Sequence, residues 1–316
     1  IPVDLRTERF TLSEIKLKEQ VQTLTSQLRF SDDNFLTISL PSDVKPHESR
    51  LVNIRYGLDA NSTELESRRP LGDVGYNKNL IQFTNWYPQL APYQPGRGWV
   101  IWEAIDVGPP LMAEVADYEL EIKAPQGVTV ASGGPVDHIN NTWKFMIQNA
   151  RSIAFSASPE YQVRTQTTEG SQIFIYHLSG NVAEAEAVLT AASQSLTLFN
   201  DRFGPYPYDS LVIAQNAYLP SVASGGFILH TGLGFEQYSG HPSNLLIVLV
   251  PLTMSQLWWG QVVGHNPVSE PWLGAAIPMY AEYLFDESYY PNMTGWYWTH
   301  RIDYWNPEGP VNQTSY

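Results

Sequence analysis

The period of the hydrophobic pattern changes once along this chain, near residue 179. Between about residue 35 and residue 178, short segments alternate apolar and polar residues and are separated by turn residues, as in 92–98 and 133–135. A period of two is typical of strands with one buried face, and Pro and Gly supply the φ angles that chain reversals need. The strands are predicted over 35–40, 51–56, 99–105, 118–122, 142–147, 153–157 and 173–177. We expect them to form an antiparallel β domain.

After Gly180 the apolar residues follow a helical period instead. The predicted helix over 182–203 is rich in alanine and ends at Gly204-Pro205, which is a helix stop signal. Its apolar stripe consists of Leu189, Ala192, Leu196 and Phe199. Further helices are predicted over 242–263 and 271–287, and strands over 210–215 and 227–230. The fold class is therefore α+β, with one domain over residues 1–178 and a second over residues 179–316.

Composition excludes several classes of partner and site. A formal net charge of −14 and the lack of a basic stripe make nucleic acid an unfavourable partner. The chain has no cysteine, so it has neither disulfides nor thiolate ligands. The longest apolar run, 245–254, is about half of what a membrane span requires, and we expect a buried helix there rather than a transmembrane segment.

Two features bear on cellular location. The chain begins at Ile1 rather than Met, which suggests a processed N-terminus, and we expect an extracytoplasmic location, namely periplasmic, secreted or cell-surface. Glycosylation sequons occur at Asn61, Asn140, Asn292 and Asn312. The three-residue pattern also arises by chance, so the sequons alone do not establish a secretory route.

The most informative stretch is 252–260, which reads LTMSQLWWG, followed by WLGAA at 272–276 and YAEYL at 280–284. In spacing and residue type it resembles the signature of the M1 family of (gluzincin) metallo-aminopeptidases. In that family HExxH precedes an aromatic pair and Gly, and the Glu of a W-L-x-E-G segment follows. The resemblance implies a saddle-like N-terminal β domain followed by a thermolysin-like domain. The catalytic Tyr and helical C-terminal region of the family would lie beyond Tyr316, so we expect an incomplete second domain.

The resemblance places the zinc ligands at Leu252, Gln256 and Ala275 and the catalytic base at Thr253. In a working site, two His one helical turn apart and a distant Glu hold Zn²⁺, and a second Glu activates the bound water. Leu and Ala have no donor atom, and a Gln amide oxygen alone is a poor zinc ligand. We therefore predict degenerate catalytic positions, no zinc and no other cofactor.

A second family element is the G-x-M-E segment, whose Glu holds the α-amine of the substrate. This chain has Gly225, Gly226, Phe227 and Ile228 there, so the Glu position is Ile228. An alkyl side chain cannot bind an ammonium group, so amine recognition by the family's route is predicted to be lost. These residues form a candidate remnant cleft. Two interpretations stay open, since the cleft could be filled as ordinary core or be an apolar pocket for a peptide or small ligand.

Other polar residues offer weaker candidates. A new metal site is disfavoured because the nearby His and Glu lack ligand spacing, and nucleophilic catalysis is disfavoured because the nearby Ser residues have no identifiable partner His. Glu282 is expected to be a solvated or packing-side acid rather than a catalyst. The His and Glu are His230, His241, His265 and Glu270, and the Ser are Ser221, Ser224 and Ser255.

The sequence thus favours a catalytically inactive, M1-like pseudo-peptidase that acts as a binding or scaffold module, and we expect no enzyme activity. One alternative is an active zinc-dependent M1 aminopeptidase with unrecognised metal ligands. Another is a structural subunit of a larger complex, including a membrane-associated one. The dense aromatic stretch 289–305 either packs inside the protein or meets a protein or peptide partner. The sequence does not determine the oligomeric state.

Overall fold

The computed structural model describes residues 2–4, 10–17, 29–30, 35–38, 40, 42–58, 61–62, 74–100, 113–217, 221–266 and 269–303. These residues form an α+β fold, as predicted. Most of the predicted strand over 99–105 lies outside the described residues, as do Tyr304, Trp305 and the sequon at Asn312.

The first half of the chain is built from short strands in several sheets. The strands are β1 (Pro2–Asp4), β2 (Phe10–Leu17), β3 (Arg29–Phe30), β4 (Phe35–Thr37), β5 (Val52–Leu58), β6 (Asn61–Ser62), β7 (Val74–Tyr76), β8 (Ile81–Phe83), β9 (Gln89–Leu90), β10 (Tyr93–Gln94), β11 (Gly98–Trp99), β12 (Ala116–Lys123), β13 (Thr129–Ser132), β14 (Val136–Ile139), β15 (Thr142–Ala150) and β16 (Phe155–Ser158). They form sheets in the orders β3-β4-β1-β9, β12-β15-β14 and β13-β16-β8-β7-β6, and the pairs β10-β11 and β2-β5. Within these sheets the pairing is antiparallel, as expected, except that β6 and β7 are parallel. The expectation is also wrong for the predicted strand over 173–177, which is parallel to the strand Ser210–Gln215.

Alternation along β15 places the core of this half. Phe145 and Ile147 are buried, whereas Lys144 and Met146 between and beside them are exposed. Phe145 pairs with the buried Leu120 on β12, so the two strands share one apolar face. This period-2 pattern is the one from which the strand was predicted.

A mixed five-stranded sheet begins the second half. Its strands are β17 (Tyr161–Thr168), β18 (Ser171–Leu178), β19 (Ser210–Gln215), β20 (Val222–Ser224) and β21 (Phe227–His230), in the order β17-β18-β19-β21-β20. β18, β19 and β21 are parallel neighbours, and the outer strands are antiparallel to them. Every residue of β19 is buried, as expected of a central strand covered on both faces.

This sheet spans the predicted domain boundary. β18 ends at Leu178 and forms a parallel ladder with β19, so both strands belong to one sheet. The division at residues 178 and 179 stays a prediction, but the hydrogen bonding favours a boundary before β17. The change of period marks the start of a helix, whereas strand pairing crosses that point.

The helices are α1 (Val182–Phe203), α2 (Gly232–Glu236), α3 (Leu245–Ser255), α4 (Pro271–Tyr289) and α5 (Thr294–Tyr297), with a 3-10 turn at Pro291–Met293 and π-helical segments at Leu257–Val262 and Trp298–Ile302. α1 coincides with its predicted range, and Gly204 follows it at φ 100°. α1 connects β18 to the parallel β19, a geometry that requires a crossover of this length.

The predicted helix over 242–263 is divided in the structure. α3 begins after Asn244, whose side-chain oxygen accepts the backbone N–H of Leu246, and the α-helical hydrogen bonds end at Ser255. The chain continues as the π-helical segment Leu257–Val262, within which Trp259 has φ −98° and ψ 42°. The backbone is therefore kinked at Trp259, the second residue of the aromatic pair.

α1, α3 and α4 pack together against the five-stranded sheet. The stripe predicted on α1 is buried and belongs to the same apolar cluster as Leu246 and Met254 of α3. Phe285 from α4 belongs to the same cluster.

Within the described residues, Leu245–Val262 is long and apolar enough to cross a membrane, with a mean hydropathy of 1.4 over 18 residues. More than half of this stretch is buried inside the protein, at 56%. The buried core helix of a soluble protein has the same length and composition, so this stretch is weak support for a membrane span.

Candidate functional site

The positions at which the sequence resemblance places the zinc site begin on α3. Leu252 and Gln256, one helical turn apart, are half-buried, whereas Thr253 is fully buried. The Thr253 hydroxyl has no hydrogen-bond partner among the described residues, and its backbone carbonyl accepts the N–H of Gln256 at 3.2 Å. The position expected for the catalytic base is therefore enclosed in the protein core.

The fourth position lies on the neighbouring helix. α4 begins with Pro271, whose fixed φ suits the first helical turn, and Ala275 lies in the second turn with its side chain exposed. α3 and α4 pack against each other, so the fold brings the two elements of the motif together. It leaves position 275 at the surface and position 253 in the interior.

The donor atoms at these four positions do not fit a zinc ion. Leu252 and Ala275 have none, and the Thr253 hydroxyl is not a usual zinc ligand. Gln256 offers one neutral amide oxygen, which suits hard cations better than Zn²⁺. Among the described residues, no three His, Asp or Glu side chains lie close enough together to hold a metal ion. No reaction step through a metal can be derived from these residues.

The G-x-M-E position lies at a tight hairpin between β20 and β21. Gly226 has φ 67°, which favours glycine, and the Gly225 N–H donates to Ser152 O at 3.0 Å. A Cβ atom at Gly225 would meet the side chains of Ala150 and Ile147 at 2.5 and 2.8 Å, so close approach to the β domain requires glycine there.

Ile228 is part of the core rather than of an open cleft. It is buried, as is Phe227, and it pairs with Ile213 on β19 and with Ala223 on β20. The same Ile228 belongs to the apolar cluster formed by α1, α3 and α4. An ammonium group has no anionic partner at this position.

Arg151 joins the β domain to the π-helical segment. Its Nε donates to Gln261 O at 3.0 Å, its Nη1 donates to Ala113 O at 2.7 Å and its backbone N–H donates to Gln261 Oε1 at 3.3 Å. The Gln261 amide in turn donates to Ser152 Oγ at 3.1 Å, and Ser152 Oγ lies 3.2 Å from Ser224 Oγ. Ser152 thus bonds both the π-helical segment and the glycine hairpin, and Arg151 adds two further bonds to Gln261.

Trp258 and Trp259 have packing partners of their own on and after α1. The indole Nε1 of Trp258 donates to Gly204 O at 3.0 Å, and its ring packs against Phe199 and Tyr206 at centroid distances of 5.7 and 5.4 Å. Trp259 packs edge-on against Phe203 at 5.5 Å. These contacts fasten the segment to the end of α1.

Of the two environments expected for Glu282, solvated or packing-side, the structure shows the packing-side one. Glu282 is fully buried on α4, and its Oε1 accepts a hydrogen bond from Arg301 Nε at 2.9 Å. Asp286, one turn further along, is also buried. Burial raises the pKa of Glu282 to about 7 and that of Asp286 to about 6, against the opposing effect of Arg301. The sequence gives one signal of this burial: Glu282 and Asp286 are four residues apart, on the same side of the helix as the apolar Phe285.

Ser221 does have a partner His, contrary to expectation. Its Oγ lies 3.2 Å from His230 Nδ1, and His230 Nε2 lies 2.8 Å from Leu246 O. His230 is fully buried, and burial lowers its pKa to about 4. Ser221 Oγ also accepts the N–H of Thr231, so these hydrogen bonds tie β21 to the start of α3. The other His, His241 and His265, are not joined with Glu270 into a metal-binding group.

Two M1 aminopeptidases are similar to this chain in sequence. Aminopeptidase M1-A of Oryza sativa subsp. japonica is 23% identical over 199 residues, which are 57% of this chain and 22% of that protein. Aminopeptidase M1-B of the same organism is 25% identical over 144 residues, 42% of this chain and 16% of that protein. The matches thus span about a fifth of the curated relatives' length. No protein-family profile matches the chain.

Structure comparison agrees. The M1 zinc metallopeptidase of Deinococcus radiodurans superposes with a TM-score of 0.63 at 16% identity, over 91% of this chain and 63% of that one. A point mutant of that enzyme bound to a Tyr-Ser-Ala substrate gives the same TM-score and covers 96% of this chain and 67% of its own. The chain therefore has the fold of the M1 zinc metallopeptidases and is homologous to M1 aminopeptidases over the part that they share.

Proposed function

We propose that this chain is a non-catalytic, M1-like pseudo-peptidase that acts as a binding or scaffold module. The observation that carries the proposal is the chemistry of the four motif positions, of which Leu252 and Ala275 have no atom able to bind a metal. The loss of the amine-binding carboxylate at Ile228 supports it independently. A relative that had lost only one zinc ligand would be expected to keep its amine-binding Glu. This chain has neither the family's zinc ligands nor that Glu.

Burial at the motif supports a scaffold over a deep ligand pocket. Thr253 and Ile228 are buried, so their side chains fill space that a base and an amine anchor would occupy in a working enzyme. Leu252 and Gln256 are half-buried and Ala275 is exposed, which leaves a shallow surface for a protein or peptide partner. Nucleic acid remains an unfavourable partner at a net charge of −14.

Metal analysis and activity together test this proposal. Protein purified without chelator should hold far less than one zinc per chain and should release no N-terminal residue from aminoacyl model substrates. Stoichiometric zinc together with chelator-sensitive release would instead establish the alternative, an active zinc aminopeptidase with ligands outside the motif.

A restored motif tests the correspondence itself. Leu252→His, Thr253→Glu, Gln256→His and Ala275→Glu combined should create a zinc site, because the packing of α3 on α4 supplies the frame. The matched control leaves Gln256 unchanged and should bind zinc at least about tenfold more weakly, since it has one imidazole fewer. A folded fourfold variant that bound no zinc would show that the motif positions were assigned wrongly.

The other alternative is a structural subunit of a larger complex. Affinity purification of the full protein from its source separates this role from binding of a small ligand, because a stable subunit would co-purify in stoichiometric amount. We also propose an extracytoplasmic location, supported by the exposed sequons at Asn140 and Asn292. Cell fractionation tests the location, and recovery in the cytoplasmic fraction would contradict it.

A further inference from the structure

Two carboxylic acids of α4 are buried one helical turn apart and are not used by the proposed function. Glu282 and Asp286 both lie in the interior, and one oxygen of each, Oε2 and Oδ2, has no hydrogen-bond partner among the described residues. An ionised carboxylate is costly to bury unless it is paired and fully hydrogen-bonded. The free-energy cost of burying the pair therefore depends on how many protons the two carboxyl groups carry.

The positive charge facing the pair comes from a separate segment, residues 291–303, which we call the aromatic segment. Arg301 in this segment bonds Glu282, as described above, and Tyr297 donates its hydroxyl to Met279 O on α4 at 2.8 Å. Met293 and Tyr297 are buried against the rest of the protein. The contact between α4 and the aromatic segment thus combines apolar packing with one ion pair.

Few other titratable groups face the two acids. Tyr297 comes from the aromatic segment and Tyr290 from the end of α4, and burial and neighbouring carboxylates keep both phenols neutral at physiological pH, with the pKa of Tyr297 raised to about 12. α3, the segment Leu257–Val262 and the buried stripe of α1 contain no titratable side chain. Among the described residues, two carboxyl groups therefore face one guanidinium.

We propose that Glu282, Asp286 and Arg301 form a proton-sensitive latch that holds the aromatic segment on α4 most firmly at mildly acidic pH and loosens it above neutrality. With one proton on the pair, one carboxylate balances Arg301. When the second proton leaves, an uncompensated negative charge remains in the interior, and undocking would hydrate it. The raised pKa values of both acids agree with this direction, because groups that hold their protons more tightly when docked favour docking as the pH falls.

Hydrogen exchange of the full protein, followed by mass spectrometry between pH 6 and pH 8.5, tests the latch. After correction for intrinsic exchange rates, protection of the amides in residues 294–303 should fall by about fivefold or more as the pH rises. Glu282→Gln and Asp286→Asn each remove one titration and should flatten this dependence. Asp286→Asn leaves the ion pair between Glu282 and Arg301 intact. If circular dichroism shows that Glu282→Gln is unfolded, the result for Asp286→Asn alone tests the latch.

Glu287→Gln is the matched control, because Glu287 lies on the exposed side of the same helix, bonded to the Tyr283 hydroxyl. This variant should keep the pH dependence of the unaltered protein. Protection that is independent of pH in the unaltered protein would overturn the latch, and so would a dependence that persists in Asp286→Asn or disappears equally in Glu287→Gln.

Discussion

At the level of single residues, Thr253 shows what the interior of α3 now tolerates. Its hydroxyl is buried and has no partner among the described residues, so the isosteric Thr253→Val should leave the free energy of unfolding unchanged or raise it by up to about 1 kcal/mol. Thr253→Glu alone should destabilise by several kcal/mol, at roughly the cost of burying an unpaired carboxylate. Urea denaturation measures both.

Thr190→Val is a suitable control, since Thr190 is an exposed residue of α1 whose hydroxyl donates to Glu186 O. It should change stability little. If Thr253→Val were as destabilising as removal of a satisfied buried hydrogen bond, an unrecognised partner for this hydroxyl would have to exist.

The buried His230 should make the free energy of unfolding fall as the pH falls, which is opposite in sign to the effect of Glu282 and Asp286. Its pKa falls from 6.5 to about 4 on folding, so it contributes stability above pH 6.5 that is lost as the pH falls towards 4. His230→Gln, which retains a donor for Leu246 O, should reduce the loss of stability between pH 6.5 and 4.5 by up to roughly 3 kcal/mol. Urea denaturation across this range measures the slope, and the exposed His241→Gln should leave it unchanged.

Side-chain chemistry follows from the sequence more directly than the surroundings of the polar residues do. That Leu252 and Ala275 cannot bind zinc follows from side-chain chemistry alone. The burial of Glu282 does not, because it depends on Arg301, which lies 19 residues away and meets it only through tertiary packing. The Ser221–His230 bond was missed for the same reason, since it forms across the β20–β21 hairpin.

At the level of elements, Trp258 and Trp272 allow the effect of a buried tryptophan to be compared with that of an exposed one. Trp258 is buried and hydrogen-bonded to Gly204 O, whereas Trp272 is 59% exposed on α4. Trp258→Ala should cost about 3–5 kcal/mol of stability, and Trp272→Ala should stay within about 0.5 kcal/mol. Chemical denaturation of both variants checks this, and equal effects would contradict the packing role given to Trp258.

Elements with a complete local signal were predictable. α1 combines an apolar stripe at helical spacing with a Gly-Pro stop, and its bounds match the prediction. The division of the next helix was not predictable, because Leu245–Val262 is apolar throughout and its pattern does not distinguish α-helical from π-helical hydrogen bonding. Pairings such as β1 with β9 join residues far apart in sequence, and no local pattern specifies them.

At the level of the whole molecule, Arg151 should determine whether the two halves unfold together. Its side chain bonds carbonyls of Gln261 and Ala113, so Arg151→Met should destabilise by about 2–4 kcal/mol, given that hydrogen bonds from charged groups contribute roughly 1.5–3 kcal/mol each. Scanning calorimetry should show a broadened or divided transition. Arg164→Met, which removes the surface pair with Glu186, should keep a single transition. A single sharp transition in both variants would contradict this role for Arg151.

The parallel ladder between β18 and β19 also determines which fragments of this protein should remain soluble when they are produced separately. A fragment that starts at residue 179 would keep β19 and lose the neighbour that covers one of its edges. β19 is apolar and entirely buried in the intact chain, and an uncovered strand of this kind readily recruits another copy of itself. Such a fragment would be prone to edge-to-edge aggregation, whereas one beginning before Tyr161 would carry its own cover.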